Sequence, residues 1–512
     1  MLAPSLSDLL FIALILWLLI FTNSGSPTGL LQDAGAGVHI RTGEWILSHH
    51  SVPRTDPFSF SKPGEAWYAW EWLSDVLFTG LNTVWGLKGL ILFTAIVLAG
   101  VCWLLVRHMA VRGANALAAI LMMNVVIGAA SVHFLARPHI FTLILLSLAF
   151  FLIDQDRTRE SLHLWFLVPL TALWANLHGG FTGLFLTLGA LTVGTLLEGR
   201  KRAALRYAGV GAACLLASFL NPYGYHLHLH VIEFLRSDWI RRIVLEFQPP
   251  RLDTASGVYF EVLLFLGLAL CGRLAYQKRF GEALAILAWA HASMVSVRHV
   301  PIFALLAGPY LAQEITILMR RAQHSMTHPS GMGPKSIWAI LNQLGDEHQP
   351  GLLRTSLMVP LFLAALFAFD CGFTYPTDFP SLIYPTDAMD RYDGLIRTSR
   401  LYTTDAWGDY LIYRNYPQQR VFFDGRTDYY GEALTLDYET LLNGFPGWED
   451  VMKKHRIDAV LLPPASALAG LLRGRAGWEE LETTDRFTVL RAVGKGGQAA
   501  LSTAVPDRGA SH

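Results

Sequence analysis

The chain is poor in charged residues and in cysteine, and each shortage excludes a class of protein. Only 16% of its 512 residues are Asp, Glu, Lys or Arg, whereas soluble domains have about 25%, so an ordinary soluble enzyme is excluded. Its 40 basic and 40 acidic side chains cancel, and without a basic excess nucleic acid is not an expected partner. A disulfide framework or a zinc site is also unexpected, because the cysteines lie in or beside apolar runs without a CxxC pair: Cys102, Cys214, Cys271 and Cys371.

The chain is rich in apolar residues, which make up 53% of the sequence. A bilayer core about 30 Å thick needs roughly 20 helical residues, and apolar runs near that length recur between residues 8 and 371. The predicted fold class is therefore an α-helical, multi-pass membrane protein with about eleven spans. The expected spans are residues 6–22, 86–106, 114–133, 139–153, 163–177, 181–197, 207–220, 258–276, 282–297, 301–319 and 355–371.

The basic residues predict the orientation of these spans. They fall in alternate loops as solvated side chains, and the positive-inside rule places those loops in the cytoplasm: Arg107 with Arg112, residues 200–206, Lys278 with Arg279, and Arg320 with Arg321. The loop 154–160 mixes both signs and fits the rule less well. The amino terminus is expected inside, and residues 6–22 are expected to be an uncleaved anchor, because Asp8 rather than a basic residue precedes the apolar run.

Composition divides the chain into domains. Residues 1–371 form the expected membrane domain, with a long, acidic first outer loop at 23–85. Residues 372–493 have the pattern of a small α/β domain on the outer side of the membrane. The tail, residues 494–512, is polar and is expected to be disordered. Within the outer domain, strands are expected at 410–414, 420–423, 459–462 and 487–490, and helices at 434–442, 448–455 and 466–472.

Uncommon polar side chains gather at the span ends that are predicted to face outward. An ionisable group at mid-bilayer costs about 2.5–3.5 kcal/mol, so several at one face predict a water-filled cavity; anchoring at the interface is the alternative for each. Arg137 and Arg298 match the geometry of a phosphate and predict a phosphate site that includes His139, His178 and His299. Pairing with carboxylates or helix-end carbonyls is the alternative. The other expected cavity residues are His39, Glu71, Asn176, Asn221 and Tyr223.

Three acids of the first outer loop are candidates for a general base. Asp33 follows the first span closely, where a carboxylate can reach both lipid headgroups and water and remove a proton from an acceptor; a loop cap beside glycines is its alternative. Asp56 precedes Pro57, which also suits a turn. Glu71 lies among aromatic residues that are typical of an amphipathic helix at the membrane interface: Trp67, Tyr68, Trp70 and Trp72.

The outer domain contains a further candidate binding loop, in the run VFFDGRTDYYG. Asp424, Arg426 and Asp428 follow an expected strand, and binding groups gather beyond the carboxyl ends of strands in open α/β sheets. Gly425 would let the backbone approach a ligand closely. We expect this loop to face the membrane cavity and to orient the acceptor. Ordinary Asp-Gly turn chemistry, with Arg426 bridging the two acids, is the alternative.

Together these features resemble the GT-C class of membrane glycosyltransferases, in particular the polyprenyl-phosphate-sugar-dependent group that includes protein mannosyltransferases and the aminoarabinose transferase of lipid A. The likeness rests on the many spans, a long first outer loop that opens with an acid, and an outer carboxy-terminal domain. Its motifs lie in residues 33–310 and are similar to those of an uncharacterised bacterial subgroup near this class. They are HIRTGEWILSHHSVPRTDPFSF, WEWLSD, ARPHIFT, WANLHGGF, SFLNPYG, EFQPP and SVRHVPIF.

The resemblance implies inverting transfer of a sugar from a polyprenyl phosphate or diphosphate to a glycan, lipid or protein acceptor, at the outer face of the bacterial cytoplasmic (inner) membrane. It implies that Asp33 is the catalytic carboxylate, with Asp56 in reserve, and that Arg137, Arg298 or a histidine neutralises the leaving phosphate. The lipid-linked sugar donor is the implied partner, and no cofactor is implied. No metal site is predicted, because the histidines of residues 226–230 would share a face only on a strand; metal dependence stays open.

Other functional classes fit part of the sequence. A transporter or flippase of lipid-linked glycans would also line a cavity with Asp, Arg and His, but the polar residues cluster at one face and no inverted repeat is visible. A non-catalytic assembly factor for envelope polysaccharide, with a glycan-binding outer domain, is a second alternative. A ligase or polymerase of lipid-linked glycans would use the same arginines without a first-loop base, so neutralising Asp33 separates it from the glycosyltransferase.

Overall fold

The computed structural model describes residues 4–20, 27–325 and 337–493, and the chain divides into two compact units. The helical unit comprises Met1–Val52 and Tyr68–Asp378, and the small unit comprises Pro53–Trp67 and Phe379–His512. Part of the stretch predicted as the first outer loop thus belongs with the carboxy-terminal residues. The tail that is expected to be disordered lies outside the described residues.

The helical unit has helices at the positions of the predicted spans. In the described part of the chain, six helical stretches are long and apolar enough to cross a membrane: Trp72–Val111, Ala116–His133, His139–Thr158, Gly179–Leu197, Ala255–Tyr276 and Val297–His324. Four shorter helices are also apolar: Leu6–Ile20, Leu162–Leu177, Phe280–Val295 and Met358–Ala368. Each predicted span coincides with one of these stretches or with the helix Lys201–Ala217, so the number of membrane crossings stays a prediction.

Local sequence explains where several helices begin and break. The Asn115 side chain accepts a hydrogen bond from the Ala118 backbone N–H and caps the helix that follows. The longest helix is interrupted at Gly86, whose φ of 61° is a left-handed conformation that glycine adopts without a Cβ clash.

In chain order, the helices are α1 Leu6–Ile20, α2 Gly35–His49, α3 Trp72–Val111, α4 Ala116–Ala130, α5 His139–Thr158, α6 Leu167–Leu177, α7 Thr182–Leu197, α8 Lys201–Ala217, α9 His226–Arg236, α10 Asp238–Ile243, α11 Ala255–Tyr276, α12 Phe280–Val295, α13 Val300–Ser325, α14 Ile337–His348 and α15 Met358–Ala368.

Helix α2 lies in the stretch that is predicted as an outer loop, and it packs against the start of α3. A Cβ atom on Gly43 of α2 would lie 2.5 Å from the Asp75 carbonyl carbon of α3. The Thr79 hydroxyl of α3 donates a hydrogen bond to the Ile40 carbonyl of α2 at 2.6 Å. The two helices therefore approach closely because glycine has no side chain at their contact.

The prediction of an interfacial helix around Glu71 is wrong. Residues 67–71 are not helical, and α3 begins only at Trp72. The Trp70 ring packs edge-on against His230 of α9, with ring centroids 5.1 Å apart. The Trp72 indole N–H donates a hydrogen bond to Asn176 at 2.8 Å. These aromatic rings thus make contacts inside the helical unit.

A buried ionic network lies at the carboxyl end of α5 and corrects the expectation that Arg112 is solvated. Asp154 accepts hydrogen bonds from His108 at 3.0 Å, from Tyr310 at 3.1 Å and from Arg112. The Arg157 guanidinium pairs with two carboxylates, and all three side chains are only 3–6% exposed. Of the charges in residues 154–160, those of Asp154 and Arg157 are thus neutralised inside the helical unit, whereas Arg159 and Glu160 are exposed. The Arg157 network comprises His108, Arg112, Asp154, Arg157, Glu198, Glu282 and Tyr310.

The small unit combines a sheet with short helices. Its sheet has the order β1-β2-β4-β3, with β1 parallel to β2 and the remaining pairs antiparallel. Val460 of the second strand lies opposite Leu490 of the fourth. The strands are β1 Leu401–Tyr402, β2 Ala459–Leu462, β3 Trp478–Thr483 and β4 Thr488–Ala492, and the helices are α16 Thr386–Arg391, α17 Asp393–Thr398, α18 Asp405–Asn415, α19 Thr427–Asn443, α20 Trp448–His455 and α21 Ala467–Leu472.

The secondary structure predicted for this unit is confirmed in part. Strand β2 and helix α20 have the predicted bounds. Residues 410–414 are wrong as a strand, because they lie in α18, where residues 407–412 are all buried and the periodic pattern that distinguishes a helix is weak. Residues 420–423 join no strand of the sheet; Val421 instead pairs with Ser59, a partner far away in sequence. Strands β1 and β3 are not predicted.

Candidate functional site

The candidate site of the helical unit forms where several helices begin or end. Glu71 precedes α3, Arg137 precedes α5, His178 follows α6 and Arg298 precedes α13. Helix α5 lies between this site and the Arg157 network. It has 20 residues and is therefore about 30 Å long, which is close to the thickness of a bilayer core. The polar cluster consists of Asp33, His39, Glu71, Asp75, Arg137, His178, Glu246 and Arg298.

One half of the polar cluster is a chain of ion pairs that alternate in sign. The Arg137 guanidinium donates hydrogen bonds to Asp33 at 3.0 Å and to Glu246 at 3.1 Å. The other Glu246 carboxylate oxygen lies 3.9 Å from the Arg298 guanidinium. Arg137 and Arg298 therefore converge on one carboxylate, although they come from different parts of the chain. Two arginines that share one anion can bind a phosphate in the same way.

Asp33 uses both of its carboxylate oxygens in this arrangement. One oxygen accepts the Gly35 backbone N–H at 2.7 Å, and the other accepts Arg137. A Cβ atom on Gly35 would lie 2.9 Å from the Asp33 carboxylate, so glycine makes room for the ion pair. Both Asp33 oxygens are thus occupied by partners within the protein.

The other half of the polar cluster is a series of carboxylates and imidazoles. The His39 Nδ1–H donates a hydrogen bond to Asp75 at 2.6 Å, and its Nε2 lies 3.6 Å from Glu71. The second Glu71 oxygen lies 3.4 Å from His178 Nε2. His178 Nδ1 accepts the Gly180 backbone N–H at 2.9 Å, so in neutral His178 the proton is on Nε2 and points to Glu71. Glu71 is thus held between two histidines.

The electrostatics distinguish the two glutamates of the polar cluster. Burial of Glu71, with a contribution from the negative Asp75, raises its pKa to about 7, while His39, Arg137 and Arg298 oppose the shift. Burial also acts to raise the pKa of Glu246, but Arg137 and Arg298 outweigh it and lower that pKa to about 2. Burial alone would lower the pKa of His39, yet the hydrogen bond to Asp75 and nearby negative charge raise it. Glu71 can therefore exchange a proton near neutral pH, whereas Glu246 stays ionised.

Other residues predicted for this site hold the backbone in place. Asn176 donates to the Ala172 and Leu220 carbonyls, and Asn221 donates to the Ser218 and Gly224 carbonyls within a turn. The Tyr223 hydroxyl accepts the Ala69 backbone N–H at 2.8 Å. His139 and His299 each donate to a carbonyl, of His133 at 2.5 Å and of Ala292 at 3.1 Å. These contacts stabilise the loops around the polar cluster.

Asp56 belongs to the small unit, and its contacts lie there. Its carboxylate accepts the Phe58 and Ser59 backbone N–H groups at 3.1 and 2.8 Å and pairs with Arg426 at 2.7 Å. Burial opposes ionisation, but Arg426 and the hydrogen bonds lower the pKa of Asp56. Asp56 is therefore a buried structural anion, which argues against its reserve role as a base.

The VFFDGRTDYYG loop is held by the same ion cluster. Arg426 pairs with Asp424 at 2.7 Å as well as with Asp56, and both acids are fully buried. Arg426 thus bridges two acids, but the second is Asp56 rather than the expected Asp428, which is partly exposed. A Cβ atom on Gly425 would lie 2.7 Å from the Asp409 carboxylate, so the close approach at this glycine is to a side chain of the protein itself. These contacts favour the structural alternative for the loop.

Sequence reasoning missed two members of the polar cluster, Asp75 and Glu246. Asp75 closes the WEWLSD run and Glu246 opens EFQPP, so both lie in motifs of the resemblance, but neither motif indicates which side chain the acid meets.

In the described part of the chain, no group of three or more His, Cys, Asp or Glu side chains could hold a metal ion.

Comparison with known proteins identifies the fold. The chain is similar to the crystal structure of the Archaeoglobus fulgidus oligosaccharyltransferase in the apo form, at 13% identity over 89% of this chain and 68% of that chain, with a TM-score of 0.51. The same enzyme tethered through a disulfide bond to an acceptor peptide containing the NVT sequon matches at 15% identity over the same shares, with a TM-score of 0.53. No family model and no curated protein matches the chain. The chain therefore shares the GT-C helical fold of an archaeal oligosaccharyltransferase.

Proposed function

We propose that the protein is a membrane glycosyltransferase of the GT-C type. It moves a sugar from a polyprenyl phosphate or diphosphate to a glycan, lipid or protein acceptor at the outer face of a bacterial cytoplasmic membrane. The fold supports the class, and the neighbour's acceptor peptide supports a glycan or protein acceptor. The orientation proposed from the basic loops places the polar cluster and the small unit outside.

The observation that carries this proposal is the convergence of Arg137 and Arg298 on the Glu246 carboxylate. A lipid phosphate that enters between them would meet two guanidinium groups that cannot lose their charge. As the bond to the sugar breaks, negative charge grows on the phosphate, and these groups stabilise it. Asp33 keeps Arg137 oriented through their ion pair.

The two main alternatives make different demands on the polar cluster. A flippase moves a lipid-linked glycan without breaking a bond, so it requires no proton acceptor. An assembly factor requires only binding. Glu71, whose pKa of about 7 is near the value that suits a general base at neutral pH, favours an enzyme over both.

Binding of undecaprenyl phosphate to the purified protein tests the phosphate site without knowledge of the sugar. We expect Arg137→Ala and Arg298→Ala each to weaken binding by about 10- to 100-fold, because each removes a charge-assisted contact of about 1.5–3 kcal/mol. Arg202→Ala, which alters an exposed arginine of α8, is the matched control. Wild-type affinity in both site variants would contradict the assignment.

Transfer itself is measured with undecaprenyl-phosphate sugars that carry a radiolabel, with envelope fractions of the native host as acceptors. We expect label to move from the lipid to the acceptor fraction. Label that crosses the membrane while still attached to its lipid would identify a flippase, and binding without transfer would favour an assembly factor.

A further inference from the structure

We propose that Glu71 is the group that takes the proton of the acceptor, and that the His39–Asp75 pair positions it. This inference rests on the proposed glycosyltransferase function and replaces the role that the family resemblance assigns to Asp33. It follows from how the polar cluster divides into two halves, one built around arginines and the other around histidines.

The carboxylates of the arginine half already contact other groups of the protein. Asp33 is committed to Arg137 and to the Gly35 N–H, and Glu246 lies between Arg137 and Arg298. Arg137 and Arg298 hold the pKa of Glu246 at about 2, so Glu246 is a weak base. These acids therefore organise the phosphate site.

The carboxylate of the histidine half, Glu71, has different neighbours from those of Asp33 and Glu246. Glu71 contacts imidazoles rather than guanidinium groups, at 3.6 Å from His39 and 3.4 Å from His178. Its side chain is 15% exposed, so an acceptor can reach it, yet enough of it is buried to favour the protonated form after transfer. Near neutral pH, Glu71 can gain and lose a proton within one catalytic cycle.

Asp75 fixes the histidine that faces Glu71. Because Asp75 accepts the His39 Nδ1–H at 2.6 Å, the Nε2 side of the ring faces Glu71 at 3.6 Å, where protonated His39 lowers the pKa of Glu71. The Asp75 side chain is 3% exposed and cannot meet substrate. This is the arrangement in which a buried aspartate sets the tautomer and orientation of a histidine, so His39 and Asp75 are positioning residues.

In the transfer step, Glu71 accepts the proton that the acceptor hydroxyl loses. The acceptor hydroxyl oxygen forms a bond to the anomeric carbon, and the bond from that carbon to the donor phosphate oxygen breaks. The electron pair of the broken bond leaves with the lipid phosphate, beside Arg137 and Arg298. The hydroxyl proton goes to the Glu71 carboxylate and then to water. The products are the glycosylated acceptor and the lipid phosphate.

The first test compares Glu71→Gln with Asp33→Asn, using the radiolabelled undecaprenyl-phosphate sugars and the native envelope fraction. We expect Glu71→Gln to lower the transfer rate by about 100-fold or more while it keeps the wild-type affinity for undecaprenyl phosphate and the wild-type melting temperature. Asp33→Asn should instead weaken lipid phosphate binding. Glu65→Gln, an exposed glutamate of the same sequence stretch, is the matched control and should be unchanged.

The second test is the pH profile, which a purely structural role of His39 would not move. The wild-type rate should rise as pH increases through about 7, since Glu71 is active only after it loses its proton. Because His39 lowers the pKa of Glu71, His39→Asn should shift this rise to higher pH. The charged and titratable groups that act on Glu71 are His39 of α2, Asp75 of α3, His178 between α6 and α7, Arg137 before α5 and Arg298 before α13.

The outcomes separate this inference from the proposed function. Active wild-type protein together with an active Glu71→Gln variant would overturn the inference alone. Loss of lipid phosphate binding in Glu71→Gln would also overturn it, because Glu71 would then be a binding residue. A wild-type protein that binds undecaprenyl phosphate but transfers no sugar would overturn both the function and the inference.

Discussion

The contact between α2 and α3 makes Gly43→Ala the most informative packing variant. A Cβ atom there would lie 2.5 Å from the Asp75 carbonyl carbon, whereas two carbon atoms are most stable about 3.5–4.0 Å apart. The helices must therefore separate by roughly 1 Å. Overpacking of this kind costs about 1–3 kcal/mol of stability.

The same displacement would disturb the site, because His39 is on α2 and Asp75 is on α3. Their hydrogen bond of 2.6 Å would not survive a separation of about 1 Å, and a misplacement of that size can reduce a rate by about 100-fold. We therefore expect Gly43→Ala to melt at a lower temperature and also to transfer sugar far more slowly than the wild type.

Thermal melting in detergent and the radiolabel assay measure the two effects. Gly80→Ala on α3 is the matched control, because a Cβ atom there meets nothing within 4 Å. It should be neutral or stabilising by up to about 1 kcal/mol. Wild-type melting and wild-type transfer in Gly43→Ala would refute the close contact between the helices and the role of that contact in the site.

Two further predictions concern stability. Arg157→Ala removes the cation that the buried Glu198 and Glu282 carboxylates share, although Glu282 keeps Arg279 at 2.9 Å. It should destabilise the helical unit by about 3 kcal/mol, seen as a lower melting temperature that exposed Arg202→Ala does not share; equal melting of the two variants would argue against the Arg157 network. Arg426→Ala should destabilise the small unit by a similar amount for the same reason, whereas the surface variant Arg414→Ala should stay within about 1 kcal/mol of wild type. An Arg426→Ala protein that melts normally but uses acceptor poorly would instead support the acceptor-orienting role of its loop.

Local patterns located most helices, because the length of an apolar run is a property of neighbouring residues. The span predicted at 181–197 corresponds to α7, and the one predicted at 139–153 starts where α5 starts. The spacing of Arg137, His178 and Arg298 relative to the spans likewise indicated that they meet at helix ends. Such features need no knowledge of which helix packs against which.

Pairing between distant side chains could not be predicted in this way. His39 meets Asp75 across 36 residues, and Arg137 meets Glu246 across 109, so the division of the polar cluster into two halves depends on helix packing. The same limit applies to Asp56, whose partner Arg426 lies 370 residues away. A local turn signal described its backbone but not the ion pair that it forms.

The two-segment construction of the small unit has a consequence for biosynthesis. Residues 53–67 contribute the fully buried Phe58 and the buried Asp56 to this unit, but they are synthesised more than 300 residues before Phe379. At about 5–20 residues per second, a ribosome takes roughly 15–60 s to cover that distance. During this time the early segment lacks the residues that will cover it, and a chain shortened to residues 379–493 would lack that segment altogether. Folding of this unit is thus delayed until the residues after Phe379 have been made.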